Sequence, residues 1–234
     1  MSGKFYDIDN DEFSKLSACE YENKYVHAPY NNIADSFSNT RHTPWAKIKE
    51  YLQKIPLNNV LLDVGCGNGK NLNIFKGENH GCDACEELVS IAKKKCQNVK
   101  ISNILNLSYD DNFADNIICI AVLHHLSSKE RRIHAINELI RVCKTGGEIL
   151  IYVWAKRDRE SEQIVSFKSN NIEYNRYYHL FEKDELIELC EINNLTQIID
   201  VYVDKENLAI LIRKNNVGKK IDVKFYKSNA ENNT

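Results

Sequence analysis

The sequence predicts an α/β fold built on a doubly wound, mostly parallel sheet, and three observations lead there. Apolar strand-like runs alternate with amphipathic helical segments through most of the 234 residues, the pattern of a parallel sheet covered on both faces. Residues 116–123 form a near-continuous apolar run, as a strand buried on both sides requires. The stretch Leu61-Leu62-Asp63-Val64-Gly65-Cys66-Gly67-Asn68-Gly69 reads as a strand that breaks into a turn with glycines at alternate positions before a helix start. Such a unit forms the ligand crevice at the carboxyl end of an open α/β sheet.

In chain order, the first core strand is Val60–Val64, followed by a helix over 71–75 and a second strand over 80–83. Residues 86–96 carry Leu88, Ile91, Ala92 and Cys96 at helical spacing. Val99–Ile101 is a short third strand, and 116–123 is the fourth. Residues 129–143 place Ile133, Ile136, Leu139, Ile140 and Cys143 on one helical face, ended by Gly146-Gly147. The fifth strand is 148–153, then comes a helix over 182–193, and 196–203 pairs with 208–213 as a closing antiparallel hairpin. The sheet thus has seven strands. Residues 1–55 are expected to be a helical extension, with 17–55 folding over the cleft, and 56–213 the core. Residues 214–234 are expected to be a basic, partly mobile tail in which 221–226 could add a strand.

Composition narrows the class. A hydrophobic content of 43% supports one full core. No run approaches the ~20 apolar residues of a membrane span, and the polar first ten residues are neither a signal nor a transit peptide. Eight cysteines scattered through apolar runs read as reduced thiols of a cytoplasmic protein. Cys82-Asp83-Ala84-Cys85 is the one CxxC, but no second ligand pair stands at zinc spacing, so no metal is expected and both cysteines read as packing residues. With a net charge of −2, nucleic-acid binding would depend on local basic clusters. Arg131-Arg132 and Lys93-Lys94-Lys95 read as solvated faces, and the six basic residues of 213–227 as a solubilising or phosphate-gripping tail.

The variant of the glycine turn is informative. A dinucleotide fingerprint would place Gly or Ala where this chain has Lys70. Here Asp63 stands two residues before Gly65, and Asp83 follows Gly65 by 18 residues. This spacing resembles class I S-adenosylmethionine-dependent methyltransferases. The resemblance implies that the turn (Gly65, Gly67, Asn68) approaches the amino-acid end of the cofactor, with Asp63 near its ammonium and Asp83 on the ribose hydroxyls. An acid usually follows the third strand to meet the adenine amino group; Asn103 stands there and can accept the same bond without charge. Ala121, in the last part of the fourth strand's run, completes the implied cofactor set.

Further stretches narrow the likeness. Tyr25-Val26-His27, Tyr30-Asn31-Asn32-Ile33-Ala34 and Phe37 through Trp45 form one group. Ala121-Val122-Leu123-His124-His125-Leu126, Glu130-Arg131-Arg132, Tyr152-Val153-Trp154-Ala155 and Arg176-Tyr177-Tyr178-His179-Leu180-Phe181 form another. Together they resemble the eukaryotic tRNA wobble-uridine methyltransferases, which esterify 5-carboxymethyluridine in the anticodon. The likeness covers about residues 20 to 213, although 156–175 is short where fungal members carry a long polar insertion. It implies tRNA as substrate and a heterodimer with a small zinc-binding activator protein, docked on the edge at Val99–Ile101.

The chemistry suits these residues. A carboxylic acid free in water titrates near pH 4, at about 4.3 or below for an ordinary side chain, so a carboxylate acceptor is already ionised at neutral pH and needs no general base. It does need a cation, and the planar fork of arginine grips two oxygens; Arg41 and Arg176 are the candidates. His124, Tyr178 and His179 are candidates for orienting the uridine, and Trp154 or Tyr177 for stacking on a flipped base. Two other readings stay open, a small-molecule methyltransferase of the same fold and a non-catalytic binding subunit.

Overall fold

The computed structural model describes residues 3–41, 43–192 and 194–216. The chain opens with β1 (Phe5–Asp7), α1 (Asn10–Lys15), α2 (Ala18–Glu22), a π-helical turn (Asn23–His27), α3 (Ala28–Ser38) and α4 (Ala46–Lys54). The core follows as β2 (Val60–Val64), β3 (Glu78–Asp83), α5 (Glu86–Lys93), β4 (Val99–Ile101), β5 (Ala114–Ile120), a 3-10 turn (Leu123–His125), α6 (Lys129–Val142) and β6 (Cys143–Trp154). Last come β7 (Glu162–Ser169), β8 (Ile172–His179), α7 (Lys183–Glu191), β9 (Thr196–Asp204) and β10 (Asn207–Lys214). The basic tail and the expected strand at 221–226 lie outside the described residues.

Seven strands form the main sheet in the order β4-β3-β2-β5-β6-β10-β9. The first five run parallel, and β10 pairs antiparallel with both β6 and β9. This is the mostly parallel sheet with a closing hairpin that the sequence predicts. Alternation along each strand separates two cores. Leu62, Val64, Ile117, Cys119, Ile149 and Ile151 pack under α6 and α7, against Ile136, Leu139, Leu186 and Leu189. Leu61, Ile118, Leu150 and Tyr152 pack on the other face against Ile48, Leu52 and Ile55. Those last residues are on or just after α4, so this helix covers the sheet as part of the core layer. Among the described residues, no helix is long and apolar enough to cross a membrane.

Three stretches differ from the sequence reading. Residues 71–75 form successive turns, Leu72 N–H to Gly69 O at 3.3 Å and Ile74 N–H to Asn71 O at 3.1 Å. Gly69 is left-handed, at φ +71°, and Glu78 already begins β3, so no helix has room to propagate. Gly146-Gly147 falls inside β6, at a register shift where Ala114 pairs with Cys143 but Asn116 with Glu148.

The largest difference is a second sheet, β1-β7-β8, antiparallel throughout. Its hairpin turns on Asn170 and Asn171, at φ +49° and +63°, with Ser169 paired to Ile172. Two consecutive left-handed residues make the two-residue turn whose twist suits a hairpin, and asparagine tolerates that region. The stretch 156–175, read as a shortened polar insertion, is therefore largely paired strand, and Arg176 stands on β8. The N-terminal extension is not wholly helical either, because Phe5 pairs with Val165.

Candidate active site

The cleft lies where β2, β3, β4 and β5 end. Gly65, Gly67 and Gly69 all have positive φ, +71°, +53° and +71°, a region that β-carbon sterics disfavour. A Cβ on Gly65 would stand 2.1 Å from Val122 Cγ2, whereas one on Gly67 would meet nothing within 4 Å. Gly65 thus lets the β5 corner pack close, and Gly67 presents bare backbone to the cleft. Ala121, at that corner, is also left-handed at φ +64°, a strain of order 1 kcal/mol or more that clusters at functional sites. Its N–H donates to Tyr152 O at 2.9 Å.

Asp83 closes β3 and fixes the turn. Its Oδ2 accepts the Gly67 N–H at 2.8 Å and its Oδ1 the Cys85 N–H at 2.9 Å. Burial pushes its pKa up against these bonds. Each oxygen still has acceptor capacity for a ribose hydroxyl. Asn103 lines the cleft beside Ser102 and Ile104, its Oδ1 accepting the Leu105 N–H at 2.9 Å. The cleft is a cavity of about 220 Å³. These features fit a nucleoside cofactor: an open glycine backbone, a half-buried acid at ribose position and a polar end.

Of two residues expected at the cofactor, Asn68 lines the cleft and also serves as a tie, while Asp63 does not reach the wall. Asn68 Nδ2 donates to Ser38 O at 3.2 Å and Arg41 O at 3.1 Å, which ties the N-terminal segment to the glycine turn. Asp63 is buried and absent from the cleft wall. Among the described residues its carboxylate has no partner at full hydrogen-bond geometry, and burial pushes its pKa up to about 7, opposed by the Lys70 ammonium and the Asn71 side chain.

The N-terminal helices supply the opposite wall through Glu22, Val26, His27, Tyr30 and Phe37. Glu22, 1% exposed, anchors them by pairing with Arg131 through both oxygens, at 2.8 and 2.6 Å. Arg132 is buried, donating to Leu126 O at 2.8 Å. The Arg131-Arg132 pair is therefore internal structure and not a solvated face.

Tyr30 Oη is the hub of the acceptor side. It accepts from Arg176 Nη1 at 3.2 Å and lies 2.9 Å from His125 Nε2 and 3.4 Å from Tyr178 Oη. His125 Nδ1 meets Tyr177 O at 2.9 Å. Since a carbonyl only accepts, Nδ1 carries the proton and Nε2 takes the Tyr30 hydroxyl. Burial pulls His125 down to about 3, so the ring is neutral. His124 is likewise driven well below its ordinary range, by burial first, then by its coupling to the adjacent His125 ring and by the Arg176 charge. It stacks on Tyr178 at 4.7 Å, and its buried Nδ1 has no partner among the described residues. Trp154 lies 4.5 Å from Tyr178 and also lines the cleft.

Arg176 is 3% exposed, and Tyr30 is its single hydrogen-bond partner among the described residues. Its Nε is buried without a partner, and no carboxylate among the described residues pairs with it. The rings of Tyr30, Phe167 and Tyr178 surround it at 5.6, 5.3 and 5.3 Å. An uncompensated buried cation is costly. Arg41 stands on the cleft wall itself, 5.0 Å over Phe37 and without a carboxylate partner among the described residues.

Tyr177 and His179 correct the sequence reading. Alternation along β8 sends Arg176 and Tyr178 toward the cleft and these two away from it. Tyr177 is fully buried against Tyr21 and Phe13, with its hydroxyl donating to Glu162. It has no face free for a base. His179 sits between Glu162 and Glu185 at 2.8 and 2.7 Å. Burial opposes its charge, but the two carboxylates outweigh it and its pKa rises. Tyr30, His125, His27 and Lys70 line the cleft unassigned by the sequence reading. The first three lie inside the family-like strings, whose density of His and Tyr was the available signal.

Cys82 belongs to the main core and Cys85 packs on Ala34 and Leu88. Among the described residues, no group of three His, Cys, Asp or Glu is arranged to hold a metal ion.

Comparison with known proteins agrees with this geometry. Residues 62–151 match the methyltransferase domain family. A methyltransferase dependent on S-adenosylmethionine from Methanosarcina mazei superposes with a TM-score of 0.62 at 19% identity, covering 74% of this chain and 98% of that one. A Haloferax volcanii methyltransferase, solved in complex with the Trm112 activator, superposes with a TM-score of 0.61 at 14% identity, over 80% and 98%. Fold and glycine turn together define a class I methyltransferase. Among curated relatives, the tRNA (carboxymethyluridine(34)-5-O)-methyltransferase of Schizosaccharomyces pombe is 35% identical over 230 residues, covering 84% of this chain and 99% of its own. The Arabidopsis thaliana protein of that name is 42% identical over 162 residues, which are 69% of this chain but 40% of the longer plant protein. The chain belongs to the tRNA (carboxymethyluridine(34)-5-O)-methyltransferase family.

Proposed function

We propose that this chain methylates the carboxylate of 5-carboxymethyluridine at the tRNA wobble position, giving the methyl ester. The observation that carries the reading is Arg176: a guanidinium buried one layer behind the cleft, with no carboxylate among the described residues to neutralise it. A site with such a charge favours an anionic acceptor. Arg41, on the wall, is the group that grips the two oxygens, and Arg176 supplies the field behind it. His124 offers a neutral, unpartnered Nδ1, and Trp154 and Tyr178 offer apolar surface for the uracil.

Asp83 holds the ribose of S-adenosylmethionine, Asn103 its adenine amino group, and Gly67 leaves room for the rest. Bound there, the cofactor would supply an electrophilic methyl group; the acceptor's carboxylate oxygen would take it in line as the carbon–sulfur bond breaks, with S-adenosylhomocysteine leaving as a neutral thioether. No proton moves, so the neutral histidines act by orientation, and the N-terminal helices keep water from the cleft.

The free edge of the sheet supports an activator partner. Among the described residues β4 has a neighbour on one side only, and Ile101 is 52% exposed. Lys100, which could guard that edge, instead folds back over the Tyr109 ring at 3.7 Å. An added strand would satisfy the open backbone groups and cover Ile101. The small zinc-binding activator implied by the resemblance docks here, in a cytoplasmic setting that the free thiols suit.

The test is acceptor preference. Labelled cofactor is offered with undermodified tRNA and, separately, with free 5-carboxymethyluridine. Label on the wobble nucleoside of tRNA alone is the expected result. Equal use of the free nucleoside would favour a small-molecule enzyme, and no transfer to either a binding subunit.

A further inference from the structure

On the reading above, two carboxylates enter one cleft: the acceptor's and that of the cofactor's methionyl arm. The wall carries two cations, Arg41 and Lys70, and neither is in an ion pair among the described residues. Lys70 follows the glycine turn directly, with its Nζ 5.1 Å from the centroid of Trp45. It stays half-buried and donates no hydrogen bond to the described protein, although the Asp63 carboxylate attracts it through space. An ammonium shielded by an indole and a turn, with no oxygen to receive its protons, is a site awaiting an acceptor.

Sheet order decides which carboxylate it meets. The strands run β4-β3-β2, with Asn103 after β4, Asp83 ending β3 and the glycine turn after β2. A ligand with its purine by Asn103 and its ribose on Asp83 crosses the strand ends in that order. Its remaining arm then lies over the β2 turn, beside Lys70. We infer that Lys70 binds the α-carboxylate of the cofactor, which leaves Arg41 for the acceptor. The lysine in place of the small residue of a dinucleotide turn thus becomes the group that reads an amino-acid arm.

The inference rests on S-adenosylmethionine as cofactor but not on tRNA as acceptor, so the test uses binding alone. Calorimetry compares S-adenosylhomocysteine with S-adenosyl-3-thiopropylamine, the same molecule without its carboxylate, on the wild-type chain and on Lys70→Met. Lys70→Met should weaken S-adenosylhomocysteine about tenfold or more and leave the decarboxylated ligand within about twofold, as a selective loss of one charge-assisted bond requires. Retained binding of the second ligand also reports an intact cleft. An equal loss for both ligands, or no loss for either, overturns the assignment to Lys70. Failure of the wild-type chain to bind either ligand overturns the cofactor reading beneath it.

Discussion

At the scale of single residues, the site is defined by charges and nitrogens the protein leaves unsatisfied. Among the described residues Arg176 has one hydrogen bond where its guanidinium offers five donors, and His124 Nδ1 and the Asp63 carboxylate have none at full geometry. Such groups weaken the fold and persist where a ligand uses them. Arg176→Met should therefore raise unfolding stability, by about 1–3 kcal/mol, while methyl transfer is lost. Denaturant unfolding and turnover on the same preparation check both halves. A variant that loses stability along with activity would show that Arg176 is a structural cation held by its aromatic cage. Arginine at this position was visible in the sequence, but its lack of a partner was not, because partners come from α3 and the second sheet.

Among elements, β8 shows how a strand divides labour between its faces. Arg176 and Tyr178 serve the cleft, while Tyr177 and His179 lock the strand to β7 and α7 through Glu162 and Glu185. His179 has a raised pKa in the folded state. Its stabilisation is thus fully present below the ordinary histidine value of about 6.5 and is lost as pH rises through the folded pKa. His179→Gln should lower stability by about 1–3 kcal/mol at pH 6 and flatten the decline of wild-type stability above about pH 6.5. Affinity for S-adenosylhomocysteine should stay unchanged, because the residue faces away from the cleft. Melting curves across pH with parallel calorimetry test this; a large loss of affinity would place His179 in the site after all. The main sheet was legible because most of its strands carry an apolar run of their own, and β3, which is largely polar, is marked by the glycine turn before it and by Asp83 at its end. The second sheet was not, since 162–179 mixes polar and apolar residues and its hairpin signal is only Asn170-Asn171, without the usual glycine. That omission is also why Tyr177 and His179 were grouped with their cleft-facing neighbours.

For the whole molecule, three layers meet at one place: sheet, covering helices, and an N-terminal segment tied down by Glu22–Arg131 and Asn68. The cofactor side was readable from Gly65, Gly67 and Asp83, whose roles follow from backbone chemistry at fixed spacing. The acceptor side was readable only as strings, because Tyr30, His125 and Arg176 are 146 residues apart at the extremes and meet through folding. The open β4 edge bears on assembly. If the proposed activator docks there, Ile101→Asp should abolish that association on co-expression while leaving the isolated chain's melt within about 0.5 kcal/mol, as for an exposed position. Co-purification of the variant with the activator would move the interface elsewhere.

The central claim is that the bond formed is a carboxylate ester. The most direct measurement uses tRNA methylated by this chain with a labelled methyl group and then exposed to mild alkali. Release of the label as volatile methanol, with 5-carboxymethyluridine regenerated at the wobble position, is the result expected. Label that stays on the nucleoside after alkali, on ring carbon, ring nitrogen or ribose oxygen, would contradict it.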